Sequence, residues 1–239
     1  MNILEKCRKK QSNLYGEPSV TIVFLGDSVT QGCFECYKKS DGIETIFDAA
    51  SAFSARLKNM LNLLYPNVQI NVIDSGISGD SAKGGLKRIE RDVLRFSPDL
   101  VVVGYALNDS TRGAAGVEDY ENDLTEIVKK VKASGAECIL LTPNAMCTGT
   151  SPHLTEFMQQ YAVNFAEIQN SGVLDRYVER IIAVGKKENI PVCDVYDKWK
   201  KMITCGVDVT ELLANKLNHP IREMHYFTAF MLLQTILDN

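Results

Sequence analysis

The chain has 239 residues, 45% of them hydrophobic and 23% charged, with a formal net charge of −4. These are the proportions of a soluble globular protein, and the length suits one large α/β domain, so residues 1–239 are expected to form a single unit. The acidic balance argues against a nucleic-acid partner, whose phosphates call for a basic stripe. No apolar run reaches the length of a membrane span, and the polar opening Met1–Pro18 lacks the apolar core of a secretory signal.

Asn2–Tyr15 is a polar-rich lead with some helical character. Thr21–Leu25 (TIVFL) then reads as a fully buried strand, because apolar residues run without alternation. Gly26 ends it and permits a sharp turn, which sets Ser28 just past the C-terminal end of the strand. In open α/β sheets that is where ligands bind. Gly32–Phe47 has no clear period and is expected to be a loop beside this point. Asp48–Tyr65 carries Phe53, Leu57, Leu61 and Leu64 at helical spacing and ends at Pro66.

Val68–Asp74 is the second strand, followed by the glycine-bearing turn Ser75–Asp80 and a helix over Ser81–Phe96. Leu100–Tyr105 is the third strand and runs into Ala106-Leu107-Asn108-Asp109. Val117–Ala133 is a helix with Leu124, Ile127, Val128 and Val131 on one face. Glu137–Thr142 is the fourth strand, stopped by Pro143. The long connection Asn144–Ser171 places Phe157, Tyr161 and Phe165 at i, i+4 and i+8, so it holds a helix, either a lid or a packing element. Val173–Lys187 is a helix, Ile190–Val195 the fifth strand, and the last helix runs from about Arg222 to Leu237. Strands alternating with helices call for a five-stranded parallel sheet covered on both faces, a three-layer αβα sandwich.

The seven cysteines are odd in number and irregularly spaced, which fits a reducing cytoplasm rather than a disulfide framework. Cys138 and Cys193 lie in predicted strands and are expected to be small buried apolar residues. Cys33 and Cys36 form a single C-x-x-C with no second pair. No two histidines have ligand spacing on a helix, so no metal is expected.

Polar or glycine residues follow three strand ends, Ser28, Gly79 and Asn108, and His219 precedes the last helix. Acyl transfer needs a hydroxyl nucleophile, an imidazole base and donors for the oxyanion. Taken together, Gly26-Asp27-Ser28, the Ser78-Gly79-Asp80-Ser81 block, Asn108-Asp109 and His219-Pro220 stand in the order of the SGNH, or GDSL-type, hydrolases, which this chain resembles from the first strand to the last helix. The resemblance implies a flavodoxin-like sandwich and hydrolysis of a small-molecule ester, acetylated sugars among them, without metal or other cofactor. It implies Ser28 as nucleophile, His219 as general base, and an oxyanion hole of the Ser28 and Gly79 N–H groups with the Asn108 side chain.

Two positions depart from the family pattern. Ala106 stands where the third block has glycine. Lys216 stands where the family's Asp-x-x-His has aspartate, with Asn215 and Asn218 beside it. Neither asparagine can bear the charge that stabilises an imidazolium. The ring is then oriented by a backbone carbonyl, by Asn215, or by an acid from elsewhere, with Asp194 and Asp197 nearest to the end of the fifth strand. This departure leaves a catalytically inactive binding module of the same fold as the alternative. A nucleotide or phosphate binder would need a glycine-rich lysine loop, which the sequence lacks. Asp27 and Asp109 are expected to hold their turns by accepting backbone N–H groups, and His153 and His225 to be rim or structural residues.

Overall fold

The structure is a computed structural model that describes residues 1–40 and 42–239. The chain opens with α1 (Asn2–Ser12), whose Ile3 and Cys7 are buried. β1 (Val20–Gly26) follows, then the single turn α2 (Ser28–Gln31). β2 (Cys33–Lys39) and β3 (Gly42–Phe47) come next, then α3 (Phe53–Leu64). β4 (Ile70–Gly76), α4 (Ala82–Asp92), β5 (Leu100–Gly104) and the short α5 (Leu107–Ser110) make up the middle of the chain. They are followed by α6 (Val117–Ala133), β6 (Glu137–Leu141), α7 (Glu156–Asn170), α8 (Val173–Glu188) and β7 (Val192–Cys193). α9 (Val195–Thr204) and α10 (Arg222–Asp238) complete it.

The main sheet has five strands in the order β4-β1-β5-β6-β7, all parallel. α3 and α10 pack together, while α4, α6 and α8 pack in succession; the two groups cover opposite faces, as a parallel sheet requires. β1 is an inner strand, paired with β4 on one side and β5 on the other, with Ile22, Val23, Phe24 and Leu25 fully buried. The chain leaves β1 toward β4 on one side and returns to β5 on the other. That reversal opens a crevice at the carboxyl end of β1. Gly26 pairs with both Gly76 and Gly104 at this end. Gly76 admits no side chain, since a Cβ there would collide with the Gln31 amide and come within 2.8 Å of the Asp27 carbonyl. The first turn after β1 therefore packs directly onto β4.

Four segments differ from the sequence expectation. The stretch read as a loop, Gly32–Phe47, is the antiparallel β2–β3 pair; Asp41 within it lies outside the described residues. Its strands are mostly exposed on both faces, so they lack the alternation that marks a half-buried strand. The fifth strand is only Val192–Cys193, because Asp194 caps α9 by accepting the Asp197 N–H at 3.1 Å. α9, which the sequence pattern does not announce, buries Tyr196 and Trp199. The long connection holds the expected helix, α7, but only Phe165 of its three aromatics packs against the core. Phe157 and Tyr161 are exposed, and Met158, Ala162 and Ala166 are buried instead. Small residues let the helix sit close, and the aromatics pack on each other with ring centroids 5.4 Å apart.

Among the described residues no helix is long and apolar enough to cross a membrane.

Candidate active site

Asp27 caps α2, its carboxylate accepting the Val29 N–H at 2.9 Å. This sets Ser28 at the first helical position, where its own N–H has no intrahelical acceptor. Burial is deep here: Ser28 is 4% and Asp27 4% exposed. Removal from water, with Asp109 and Asp80 nearby, pushes the Asp27 carboxyl up to about 7.

The turn after β4 brings Gly79 alongside. Its φ of +79° is a left-handed conformation that suits glycine, and open space faces the position its Cβ would take. Gln31 braces this turn, its side-chain oxygen accepting the Ser78 N–H at 2.7 Å. Asn108, in α5, donates one amide hydrogen to the Asp80 carbonyl at 2.8 Å, which leaves a second for another acceptor. Asp109 does not hold its own turn, as expected from sequence, but the neighbouring one. It accepts the Ala82 N–H at 3.0 Å, and burial pushes its carboxyl up to about 6. Ala106 adopts φ +147°. The residue that departs from the family glycine therefore sits in backbone space that favours glycine.

His219 comes from the turn before α10. Its Nε2 lies 3.0 Å from Ser28 Oγ, and its Nδ1 lies 3.1 Å from the Phe34 carbonyl oxygen. A carbonyl can only accept, so Nδ1 carries the hydrogen and Nε2 is free to accept the serine proton. Burial pushes the ring's pKa down to about 4, so the imidazole is neutral at pH 7. No side-chain carboxylate among the described residues bonds the ring.

Asn215, read from sequence as a candidate partner of the ring, does not bond the ring itself. Its side-chain oxygen accepts the backbone N–H groups of Leu217, Asn218 and His219 at 2.9–3.0 Å and so shapes the turn. Lys216 has φ +56°, and its ammonium turns away to Glu211 at 2.8 Å. Asp194 and Asp197 serve α9 and its lysines.

Sequence reasoning missed Phe34. The register of β2 against β3 shifts between Cys33 and Cys36, and such an irregularity releases backbone groups from the ladder. The Phe34 carbonyl turns to His219. The root of the hairpin is tied to α10, where Arg222 pairs with Glu35 at 2.6 Å and Asp48 at 3.0 Å and covers the Phe34 ring. His225 also packs on Phe34, with centroids 4.7 Å apart, and accepts the Phe53 N–H at 3.1 Å. It is structural. Cys36 lies 4.0 Å from His219 Nδ1 through its sulfur, and Cys33 and Cys36 are both free thiols, not a disulfide. Beside Cys36 and Asn215 a cavity of about 210 Å³ opens, lined by Tyr37, Lys38, His153 and Met158. Among the described residues no group of three or more His, Cys, Asp or Glu could hold a metal ion.

Solved structures share the fold. The acetylxylan esterase of Geobacillus stearothermophilus superposes with a TM-score of 0.68 at 21% identity, covering 91% of this chain and 94% of that one. A two-domain esterase active on acetylated mannans gives 0.68 at 17% identity, covering 99% of this chain and 52% of that one. The fold is that of the SGNH hydrolases. Residues 24–225 match the GDSL-like Lipase/Acylhydrolase family, and the chain belongs to that family. In sequence it is 28% identical to the acetylxylan esterase of G. stearothermophilus over 167 residues, 64% of this chain and 74% of that protein. It is 30% identical to the thioesterase 1/protease 1/lysophospholipase L1 of Escherichia coli K12 over 121 residues, half of each chain.

Proposed function

We propose that this chain is a serine esterase that removes small acyl groups, acetyl foremost, from carbohydrate esters by way of an acyl-enzyme on Ser28. The observation that carries the reading is the 3.0 Å approach of His219 Nε2 to Ser28 Oγ. Ser28 Oγ attacks the acyl carbonyl as His219 Nε2 takes its proton. The developing oxyanion is held by the N–H groups of Ser28 and Gly79 and by the second hydrogen of the Asn108 amide. The C–O bond to the alcohol breaks, and His219 returns the proton to the departing oxygen. Water then attacks the acyl-serine with His219 again as base, releasing the acid and restoring Ser28.

The Phe34 carbonyl keeps the ring in the reactive tautomer without supplying a negative charge. Acetyl esters of sugars are favoured because the named relatives include acetylxylan esterases. The seven free cysteines support a reducing, cytoplasmic setting. The test is a panel of p-nitrophenyl esters of rising acyl length beside acetylated xylo-oligosaccharides. Acetyl esters should give the highest kcat/KM. A steady rise toward long acyl chains would overturn the substrate class, and failure to cleave any ester would overturn the activity.

A further inference from the structure

Arg88 in α4 is a buried arginine, 8% exposed, whose hydrogen bonds go to none of Ser28, Asn108 and His219. All five of its N–H donors are nevertheless engaged. Nε bonds the Asp80 carboxylate at 2.8 Å. Nη1 bonds the Ser75 carbonyl at 2.7 Å and the Asp92 carboxylate at 3.3 Å. Nη2 bonds the Gly26 carbonyl at 3.1 Å and the Tyr105 hydroxyl at 2.9 Å. The Tyr105 hydroxyl in turn donates to Asp80 at 3.1 Å. One guanidinium thus joins the carboxyl ends of β1 and β4 to the residue just after β5 and to the turn that follows β4.

Two of these acceptors, the Gly26 carbonyl and the Asp80 carboxylate, lie close in the chain to a donor of the proposed oxyanion hole. Gly26 is two residues before Ser28. Asp80 directly follows Gly79, and the Asp80 carbonyl holds the Asn108 amide. The three donors come from three separate chain segments, and the guanidinium is the group that ties all three to one point. Its planar fork fixes directions as well as distances, which a lysine ammonium cannot do.

We propose that Arg88 is the positioning residue of the oxyanion hole, setting the relative placement of the Ser28 N–H, the Gly79 N–H and the Asn108 amide. The inference rests on the proposed esterase reading, because the donors matter only if an oxyanion forms there. Such a residue acts on the transition state and hardly on ground-state binding.

The test compares Arg88→Lys and Tyr105→Phe with Arg91→Lys, an exposed arginine on the same helix, as control. Arg88→Lys should lower kcat by roughly 10–100-fold with KM within about 3-fold. Tyr105→Phe should give a smaller loss in the same parameter, and Arg91→Lys none. In an Asn108→Ala background, Arg88→Lys should cost less than half as much on a logarithmic scale, because part of what it positions is gone. Amide exchange gives a readout free of catalysis: in Arg88→Lys it should quicken at Ser28–Val29 and Ile77–Ser81 and stay unchanged in α8. Unaltered kcat, a loss confined to KM, full additivity with Asn108→Ala, or exchange quickened throughout the chain would each overturn the positioning role. Wild-type activity in Ser28→Ala would instead overturn the esterase reading, and amide exchange would still decide what Arg88 holds.

Discussion

Ser28, Gly79 and Asn108 reach the site from the ends of three neighbouring parallel strands, over a floor of buried charge. Asp27, Asp80, Asp109 and Arg88 lie beneath them, with the Asp27 and Asp109 carboxyls raised by burial. His219 reaches the same point from a turn held by a single asparagine and by backbone groups. Its neighbours are uncharged: the Phe34 carbonyl, Cys36 and the amides of the turn. The serine side is thus fixed by the sheet and its ion pairs. The histidine side is fixed by packing of a hairpin against the last helix. The comparison teaches that the imidazole is aimed by geometry alone, where many serine hydrolases add a carboxylate.

The largest expected effects test whether both sides serve one reaction. Ser28→Ala and His219→Ala should each lower kcat by up to about 10⁶, while His153→Ala and His225→Ala keep kcat within about 10-fold. Steady-state kinetics on an acetyl ester checks this. If His225→Ala were the inactive variant, the histidine side would have been misassigned. Next in size, Asn108→Ala should cost roughly 10²–10³ in kcat with KM changing less. A loss seen only in KM would make Asn108 a ground-state contact.

On the histidine side, Glu35→Gln, Asp194→Asn and Glu211→Gln should each cost less than about 10-fold, since none bonds the ring. Where a triad aspartate operates, its loss costs about 10⁴. Asn215→Ala should cost more than any of these, through three orphaned backbone N–H groups and a displaced turn. A 10³-fold loss from one of the acids in a folded protein would break the contrast between the two sides.

The two sides also predict opposite pH dependences of stability. Asp27, with its folded pKa raised to about 7 from 3.8, binds a proton in the native state that the unfolded chain has already lost. Its contribution is present below pH 3.8 and is lost as pH rises through 7. His219 and His225, lowered from 6.5 to about 4 and about 3, behave the other way. Their contribution is present above pH 6.5 and is lost as pH falls toward those values. Asp27→Asn should therefore stabilise the protein at pH 8, by roughly 1–3 kcal/mol, and leave the loss between pH 6.5 and 4 in place. Urea unfolding at the two pH values measures both. The smallest effect concerns strain: Ala106→Gly should stabilise by about 1 kcal/mol, by relieving the φ of +147°.

The serine side was legible in the sequence because its signals are local. An unbroken apolar run into Gly-Asp-Ser, a glycine turn after the next strand and an Asn-Asp after the third each announce a strand end, and the sheet order brings them together. His219 was singled out through the family resemblance, as the His-Pro before the last helix. What holds its ring was not legible, because the partner is a backbone carbonyl 185 positions away in sequence, and a carbonyl carries no residue identity. The hairpin that supplies it was hidden by two-sided exposure, which erases the alternating pattern. The aromatic spacing of α7 announced the helix but not which face is buried. Small residues on the adjacent face packed closer to the core.

The central claim is that an uncharged environment lets His219 activate Ser28. Labelling with a fluorophosphonate across pH, with the adduct located by mass spectrometry, tests it most directly, because phosphonylation uses the same serine and the same base. The expected result is one adduct, on Ser28, whose rate holds on acidification well past the usual histidine range and halves near pH 4, where the ring takes up its proton. An adduct elsewhere, or a midpoint at or above 6.5, would contradict it, the latter revealing a negative charge that stabilises the imidazolium.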